Sequence, residues 1–424
     1  MRNIPSLSSI VKLVPPFMGH LRRPTRSIAL TYPYLEWLGL DVNVVNAKLV
    51  NLGFKADLVR APKTWPTHTS GRLCPPMLKD ALRYAAAVEA EEVSSNTGSE
   101  NLPIMSIWTT RLAEMLELTE AAFRRDRPAL VVLVQGYEPV NAVARAAALN
   151  LGIPALAVEN TSLKSRMLWD NVSAITTNRS LAANYYWRYK GSVNDAIVNE
   201  YIESLLSGLR AFKTEEHTAP SGMGAPECSR PNVLFLAQVL TDSSIIFGLG
   251  NDESPLDYIQ STVNWCQKNG YRLILKLHPK EFIGNDPIAN RPYRKLTYRK
   301  MLQRTGLMQT LKENQAIIDS ENSFDTYELI HQSKFVVTVN SQAGLEAALF
   351  DKPVVVCGNA FYRGLGFTLD INHPSQFNSM MDIAAVFEVP RSCREFAYIY
   401  FKQYCRSKTE DSLVGLIAEQ LRLE

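Results

Sequence analysis

The chain has 424 residues, 46% of them hydrophobic and 21% charged, with a formal net charge of +3. That is the make-up of a folded globular protein long enough for two or three domains. The small excess of cations excludes a nucleic-acid binder that works by bulk charge, and no apolar run reaches the roughly 18 residues of a membrane-spanning helix.

The N-terminal stretch MRNIPSLSSIVKLVPPFMGHLRR is interrupted by Pro15 and Pro16 and has no small-residue cleavage site, so no signal peptide is expected. SIALTYPY reads as a strand, and VVNAKLVNLGFKADLVRA as helix, glycine, strand. The stretch from Ala86 to Glu100 is polar and reads as a mobile loop. The clearest unit begins at Pro128: Ala129–Gln135 is an apolar, β-branched buried strand, Gly136 breaks it, the alanine-rich PVNAVARAAALNLG is a helix, and IPALAVEN is a second strand. Strand, helix, strand implies a parallel sheet. After a loop, Val172–Asn178 reads as a short strand and SLAANYYWRYKG as a helix.

Thr214 to Pro231, with three prolines and two glycines, reads as an interdomain linker. Beyond it, NVLFLAQV, YRLILKLHP, KFVVTVNS and PVVVCGN are strands. They alternate with the helices SPLDYIQSTVNWCQKNG, SFDTYELIHQS (with a serine N-cap) and QAGLEAALFDK. The fold class is therefore α/β, with two Rossmann-like domains facing a cleft in the manner called GT-B. The six cysteines, at 74, 228, 266, 357, 393 and 405, form no CxxC pair and flank no histidine at zinc spacing. They read as reduced thiols of a cytoplasmic protein.

In open α/β sheets, ligands bind beyond the carboxyl ends of the strands. Three such ends in the second half are polar: Gln238 and Thr241 to Ser244; Lys276, His278, Pro279, Lys280 and Glu281; and Asn340, Ser341, Gln342 and Gly344. Ser341 opens a helix whose first N–H groups suit a phosphate, Gly344 allows close approach, and both Asn340 and Ser341 also read as plain helix caps. Lys276 and His278 lie on one face of their strand, suited to the phosphate or ribose of a nucleotide or to a purely structural duty.

In that order, QVLTDSSI, LILKLHPKE, VVTVNSQAGLEAALFDKPVVVCGNAFY and GLGFT resemble the capsule polysaccharide biosynthesis proteins. These include transferases of 3-deoxy-D-manno-octulosonate (Kdo) from CMP-Kdo. The resemblance is strong from about 231 to 370 and weaker back to Pro128. It implies a nucleotide-sugar site in which His278 and Pro279 contact the CMP part, Asn340, Ser341 and Gly344 hold the phosphate, and Glu346 meets the ribose. Gln238 and Asp242 match polar residues after the first strand of that half, and Lys276 joins the site by its place on the strand face of His278. It also implies retaining transfer with a carboxylate after the ALAVEN strand. There the family pattern known best reads Glu-Asp-Gly, and this chain has Glu159, Asn160 and Thr161. An amide is no nucleophile, so Glu159 or Asp170 carries the role, or the mechanism or the sugar differs in this branch.

The expected organisation is an acceptor and catalytic domain over 1–213, a linker over 214–231, and a nucleotide-sugar domain over 232–424 whose last helices pack back on the first. The expected partners are a CMP-sugar donor, a lipid or glycan acceptor, and peripheral contact with the inner membrane or the capsule export machinery. No metal or other cofactor is expected. Basic Arg291–Arg304 reads as an anionic-lipid face or a solvated helix, and Asn184–Tyr189 as a sugar-stacking run or core. Other readings are a polyol-phosphate transferase using CDP-glycerol and a non-catalytic scaffold of capsule assembly.

Overall fold

The structure is a computed structural model that describes residues 26–31, 34–60, 73–91, 102–171, 180–216, 223–250, 253–286, 288 and 290–422. The strands are β1 (Arg26–Thr31), β2 (Phe54–Val59), β3 (Leu130–Val134), β4 (Ala155–Asn160), β5 (Arg166–Asp170), β6 (Asn232–Leu236), β7 (Arg272–Lys276), β8 (Ile317–Asp319), β9 (Ser333–Thr338), β10 (Val354–Val356), β11 (Leu369–Asp370) and β12 (Arg406–Ser407).

They form two six-stranded sheets, in the orders β12-β5-β4-β3-β1-β2 and β11-β10-β9-β6-β7-β8. The second sheet is parallel throughout. Numbered within its own domain its order is 3-2-1-4-5-6, the Rossmann order, with the switch point between β6 and β9. In the first sheet β1 to β4 are parallel and reverse order between β1 and β3, giving a second switch point. The two Rossmann-like domains face each other across a cleft.

The sequence accounts for most of these elements. Leu130 to Val134 are all buried, as helices on both sheet faces require. The helix Pro139–Asn150 begins with proline and packs an alanine-rich face on β3. Ser254 and Asp257 form a capping box at the start of helix Pro255–Asn269, and Gly270 ends it at φ 75°.

Several details differ from the sequence reading. Helix Lys79–Ala90 buries Ala86, Ala87 and Val88, so the expected mobile loop is helical over its first part; 92–100 fall outside the described residues. The expected strand Val172–Asn178 also lies outside them. The segment read as a loop after β4 contains β5, which runs antiparallel to β4. Helix Thr326–Gln332 is capped by Asp325, which accepts from the N–H groups of Tyr327 and Glu328. The N–H of Ser323 goes instead to Asp319. Helix Asp195–Glu216 enters the expected linker, of which 217–222 lie outside the described residues. At the end of the chain, β12 pairs with β5 and helix Glu410–Gln420 packs on helix Val42–Asn51.

Candidate active site

A cleft of about 1130 Å³ separates the carboxyl ends of the two sheets. On the wall of the second domain, the switch point is closed by one side chain. Gln238 accepts the N–H of Asn340 at 3.2 Å and donates to Ser244 Oγ at 2.6 Å. Ser244 Oγ in turn donates to Asp242 at 2.7 Å, and Asp242 also takes the N–H of Ser244 at 2.9 Å. Four expected site positions, or their immediate neighbours, are thus one bonded cluster joining β6 to β9. Gly248 is required beside it, because a Cβ there would stand 2.0 Å from Asn340 Nδ2.

Beyond β9, Ser341 caps helix Gln342–Leu349, accepting the N–H of Ala343 at 3.3 Å. Asn340, Ser341, Gln342, Ala343 and Glu346 all line the cleft. Glu346 is buried and accepts from the Tyr327 hydroxyl at 3.1 Å. Gly344 serves a different purpose from the one read in the sequence. A Cβ there would meet the Tyr362 hydroxyl at 2.2 Å, and that hydroxyl donates to Ser341 O at 2.6 Å. Glycine leaves room for the tyrosine that braces the turn, and Gly344 is not among the lining residues.

Past β7, His278 Nδ1 accepts the N–H of Lys280 at 3.1 Å, which leaves Nε2 as the protonated nitrogen of the neutral ring. Pro279 opens the short helix Lys280–Ile283. Lys276 lies on the same wall, but its ammonium is committed elsewhere: to Asp319 at 2.7 Å, Asn322 at 3.0 Å and Phe324 O at 2.9 Å. Three acceptors match its three hydrogens, so it organises the strand end and does not offer a charge to a phosphate. In the helix that follows, burial pushes the Glu281 carboxyl up to about 7, against the hydrogen bonds of Thr297.

On the opposite wall, Glu159 lies at the end of β4, 7% exposed, and accepts from Gln135 Nε2 at 3.3 Å. The structure does not bring Asp170 to the same place. Because β5 runs antiparallel, Asp170 pairs with Ala157, three residues short of Asn160. It lies about 10 Å back from the strand end and is not among the lining residues. Asn160 holds Lys408, whose ammonium donates to its Oδ1 at 3.0 Å. Lys408 comes from the returning C-terminal segment and lines the cleft with Lys164.

Sequence reasoning passed over the end of β3. Gln135 has φ 66° and Gly136 φ 103°, a left-handed turn that costs a non-glycine residue about 1–3 kcal/mol. It brings Gln135, Tyr137 and Glu138 into the cleft wall. The one signal available was the Gly136 break itself. Glu138 is 3% exposed. Burial pushes its carboxyl up to about 8, the charge of Glu159 adds to this, and hydrogen bonds from Asn141 and Tyr137 oppose it. Among the described residues no group of three or more histidine, cysteine or acidic side chains is placed to hold a metal.

Two other segments have settled duties. Arg291, Lys295, Arg299 and Arg304 bond to Val88 O, Glu321, Glu91 and Asp257 respectively, so much of the basic segment's charge is spent within the protein. Two of those bonds reach helix Lys79–Ala90 and the residue after it, tying the domains together beside the aromatic cluster Tyr84, Tyr137 and Phe247. In the aromatic run, Tyr186 is fully buried against Phe396, and Tyr185 packs on Tyr189 and Tyr404. None of Tyr185, Tyr186, Trp187 and Tyr189 lines the cleft. No helix among the described residues is long and apolar enough to cross a membrane.

Residues 189–388 match the family model described as "Capsule polysaccharide biosynthesis protein". Among solved structures, the chain is similar to the beta Kdo 2,4 transferase of Thermosulfurimonas dismutans KpsC, with 16% identity, 92% of this chain and 94% of that chain covered, and a TM-score of 0.47. The beta Kdo 2,7 transferase of the same protein matches at 15% identity over 74% and 97%, with a TM-score of 0.44. The UDP-GlcNAc 2-epimerase of Methanocaldococcus jannaschii, in complex with UDP-GlcNAc and UDP, matches at 12% identity over 93% and 99%, with a TM-score of 0.39. No curated protein matches the chain.

Proposed function

We propose, from the match of residues 189–388 to the model of capsule polysaccharide biosynthesis proteins, that the chain is a glycosyltransferase of capsule or surface polysaccharide assembly. Its donor is a CMP-activated, Kdo-like sugar, and its acceptor a hydroxyl of a lipid-linked or glycan chain. The observation that carries this reading is the facing of two walls across one cleft: the polar ends of β6, β7 and β9 on one side and Glu159 on the other. The Kdo-like sugar and the cytidine nucleotide rest on the motif resemblance between about 231 and 370.

In this reading the N–H groups at the start of helix Gln342–Leu349 and the Ser341 side chain receive the donor phosphate. The His278 ring lies toward the nucleotide, and Glu346 toward the ribose. The Glu159 carboxylate bonds to the anomeric carbon as the carbon–oxygen bond to the phosphate breaks, and the electron pair leaves with CMP. The acceptor oxygen then bonds to that carbon as its O–H bond breaks and gives up the proton, and the bond to Glu159 breaks and returns its pair to the carboxylate. Two inversions retain the configuration.

Thermal shift and turnover with CMP-, CDP- and UDP-sugars test the reading, since a ligand of the folded state raises the melting temperature. CMP-Kdo is expected to raise it most and to release CMP, and Glu159→Gln is expected to lower turnover at least ~100-fold. Transfer of glycerol phosphate from CDP-glycerol would replace the reading with that of a polyol-phosphate transferase. Binding of nucleotide without turnover of any donor would replace it with that of a scaffold.

A further inference from the structure

The turn after β3 holds a carboxyl that the reading above leaves idle. Asn141, on the helix that follows, is oriented without ambiguity. Its Oδ1 accepts from Thr31 Oγ1 at 2.7 Å and from Val134 N–H at 2.9 Å, so its NH₂ faces Glu138, to which it donates at 3.2 Å. Thr31 ends β1 and Val134 ends β3, so Glu138 is pinned to the switch point of the first sheet. On the cleft wall, Gln135 stands beside it, donating to Glu159 and accepting from the Tyr137 hydroxyl at 2.8 Å. Two glutamates therefore line one wall, one ending β4 and one beginning the helix after β3.

We infer that Glu138 is the proton acceptor of the transfer step, receiving the proton of the acceptor hydroxyl at the carboxylate that Asn141 holds on the cleft wall it shares with Glu159. This rests on the reading of the cleft as a retaining transferase site with Glu159 as nucleophile. As the acceptor oxygen bonds to the anomeric carbon, its O–H bond breaks and the proton goes to Glu138. The bond from the carbon to Glu159 breaks, its electron pair returns to Glu159, and the proton on Glu138 passes to water before the next transfer.

The electrostatics fit this order. The titratable groups that bear on Glu138 are Glu159 on β4 and Tyr137 on its own turn. Behind Tyr137 stand Tyr84, on helix Lys79–Ala90, and Asp242 on the opposite wall. None of these four is a cation, and burial together with the Glu159 charge keeps Glu138 protonated near neutral pH. Once Glu159 carries the sugar it is an uncharged ester. Its own repulsion is lost, but the octulosonate carboxylate brings a negative charge in its place, so Glu138 remains a base whose ionised fraction rises through neutral to mildly alkaline pH.

The test uses the full chain with CMP-sugar donor and acceptor, comparing wild type, Glu138→Gln and Glu138→Asp. Intact-mass measurement with donor alone is expected to find one sugar added to wild type and to Glu138→Gln alike. On addition of acceptor, the adduct persists on Glu138→Gln. Transfer kcat falls about 100-fold or more, and the donor KM falls with it, because loading is unchanged while the adduct accumulates. Wild-type kcat/KM for the acceptor rises with pH to a midpoint near 8, Glu138→Asp keeps a rising limb with a shifted midpoint, and Glu138→Gln has none. Should neither variant fold, as judged by thermal unfolding, the wild-type limb decides. Transfer by Glu138→Gln at the wild-type rate overturns the proposal. So does a wild-type profile flat between about pH 6 and 9, or a Glu138→Gln protein that binds donor yet forms no adduct. A wild type that forms no adduct and transfers no sugar overturns the reading of the site itself, and the proposal with it.

Discussion

Gln238 takes the backbone N–H of Asn340 at 3.2 Å, so one side chain stitches β6 to β9 across the switch point of the second sheet. Both residues are buried, and the turn bearing Ser341 hangs from this bond. Gln238→Leu leaves the Asn340 N–H and the Ser244 hydroxyl each without that partner. The expected loss is about 1–3 kcal/mol in urea unfolding, accompanied by weaker nucleotide binding. An unchanged midpoint would show that water replaces the side chain at no cost.

Gly344 and Tyr362 compete for one volume. Gly344→Ala drives a methyl to 2.2 Å from the tyrosine hydroxyl and is expected to cost about 1–3 kcal/mol through overpacking. Tyr362→Phe frees that space, so the double variant should recover much of the loss. A double-mutant cycle measures it, and simple additivity would rule the contact out as the cause.

Lys276 and Asp319 form a buried ion pair at 2.7 Å. Lys276→Met strands the Asp319 carboxylate and is expected to destabilise the protein by about 3–5 kcal/mol, whereas changing both partners to apolar residues of similar size approaches neutrality. Chemical denaturation of the single and double variants distinguishes these outcomes. A mild single variant would mean that the N–H groups of Ser323 and Phe324, with water, already satisfy the acid.

Glu138 and Glu281 make stability fall as pH rises. Burial raises the first carboxyl to about 8 and the second to about 7. In the unfolded chain both ionise near 4.5, the ordinary value. Between those limits the folded state holds protons that the unfolded state has released, and stability drops by up to about 1.4 kcal/mol per pH unit for each group. The contribution is complete below about 4.5 and lost as pH passes 7 to 8. Glu138→Gln should flatten this slope and make the protein more stable than wild type at pH 8. Urea unfolding at a series of pH values measures it, and parallel slopes would refute it.

The legible part of the molecule was its second half. NVLFLAQV, YRLILKLHP and KFVVTVNS are short apolar runs closed by polar residues and joined by helices with caps in their own sequence, so strand identity and the cleft-facing ends follow from local pattern. The first half was harder because its signals are weaker: β5 follows a turn with no glycine, and the left-handed turn at Gln135 uses a residue that rarely adopts it.

By itself the sequence determined that two α/β units exist, that their ligands meet the ends of parallel strands, and that the ends bearing Gln238, His278 and Asn340 are polar. These follow from periodicity and from the handedness of strand–helix–strand units, which are local properties. The tertiary structure alone decided what each side chain is free to do. It gave Lys276 to Asp319, gave the space above Gly344 to Tyr362, carried Asp170 back along an antiparallel strand, and set Glu138 on one cleft wall with Glu159. Each outcome depends on a partner brought from a distant part of the chain, or on the removal of water by burial, and neither is written in the order of neighbouring residues.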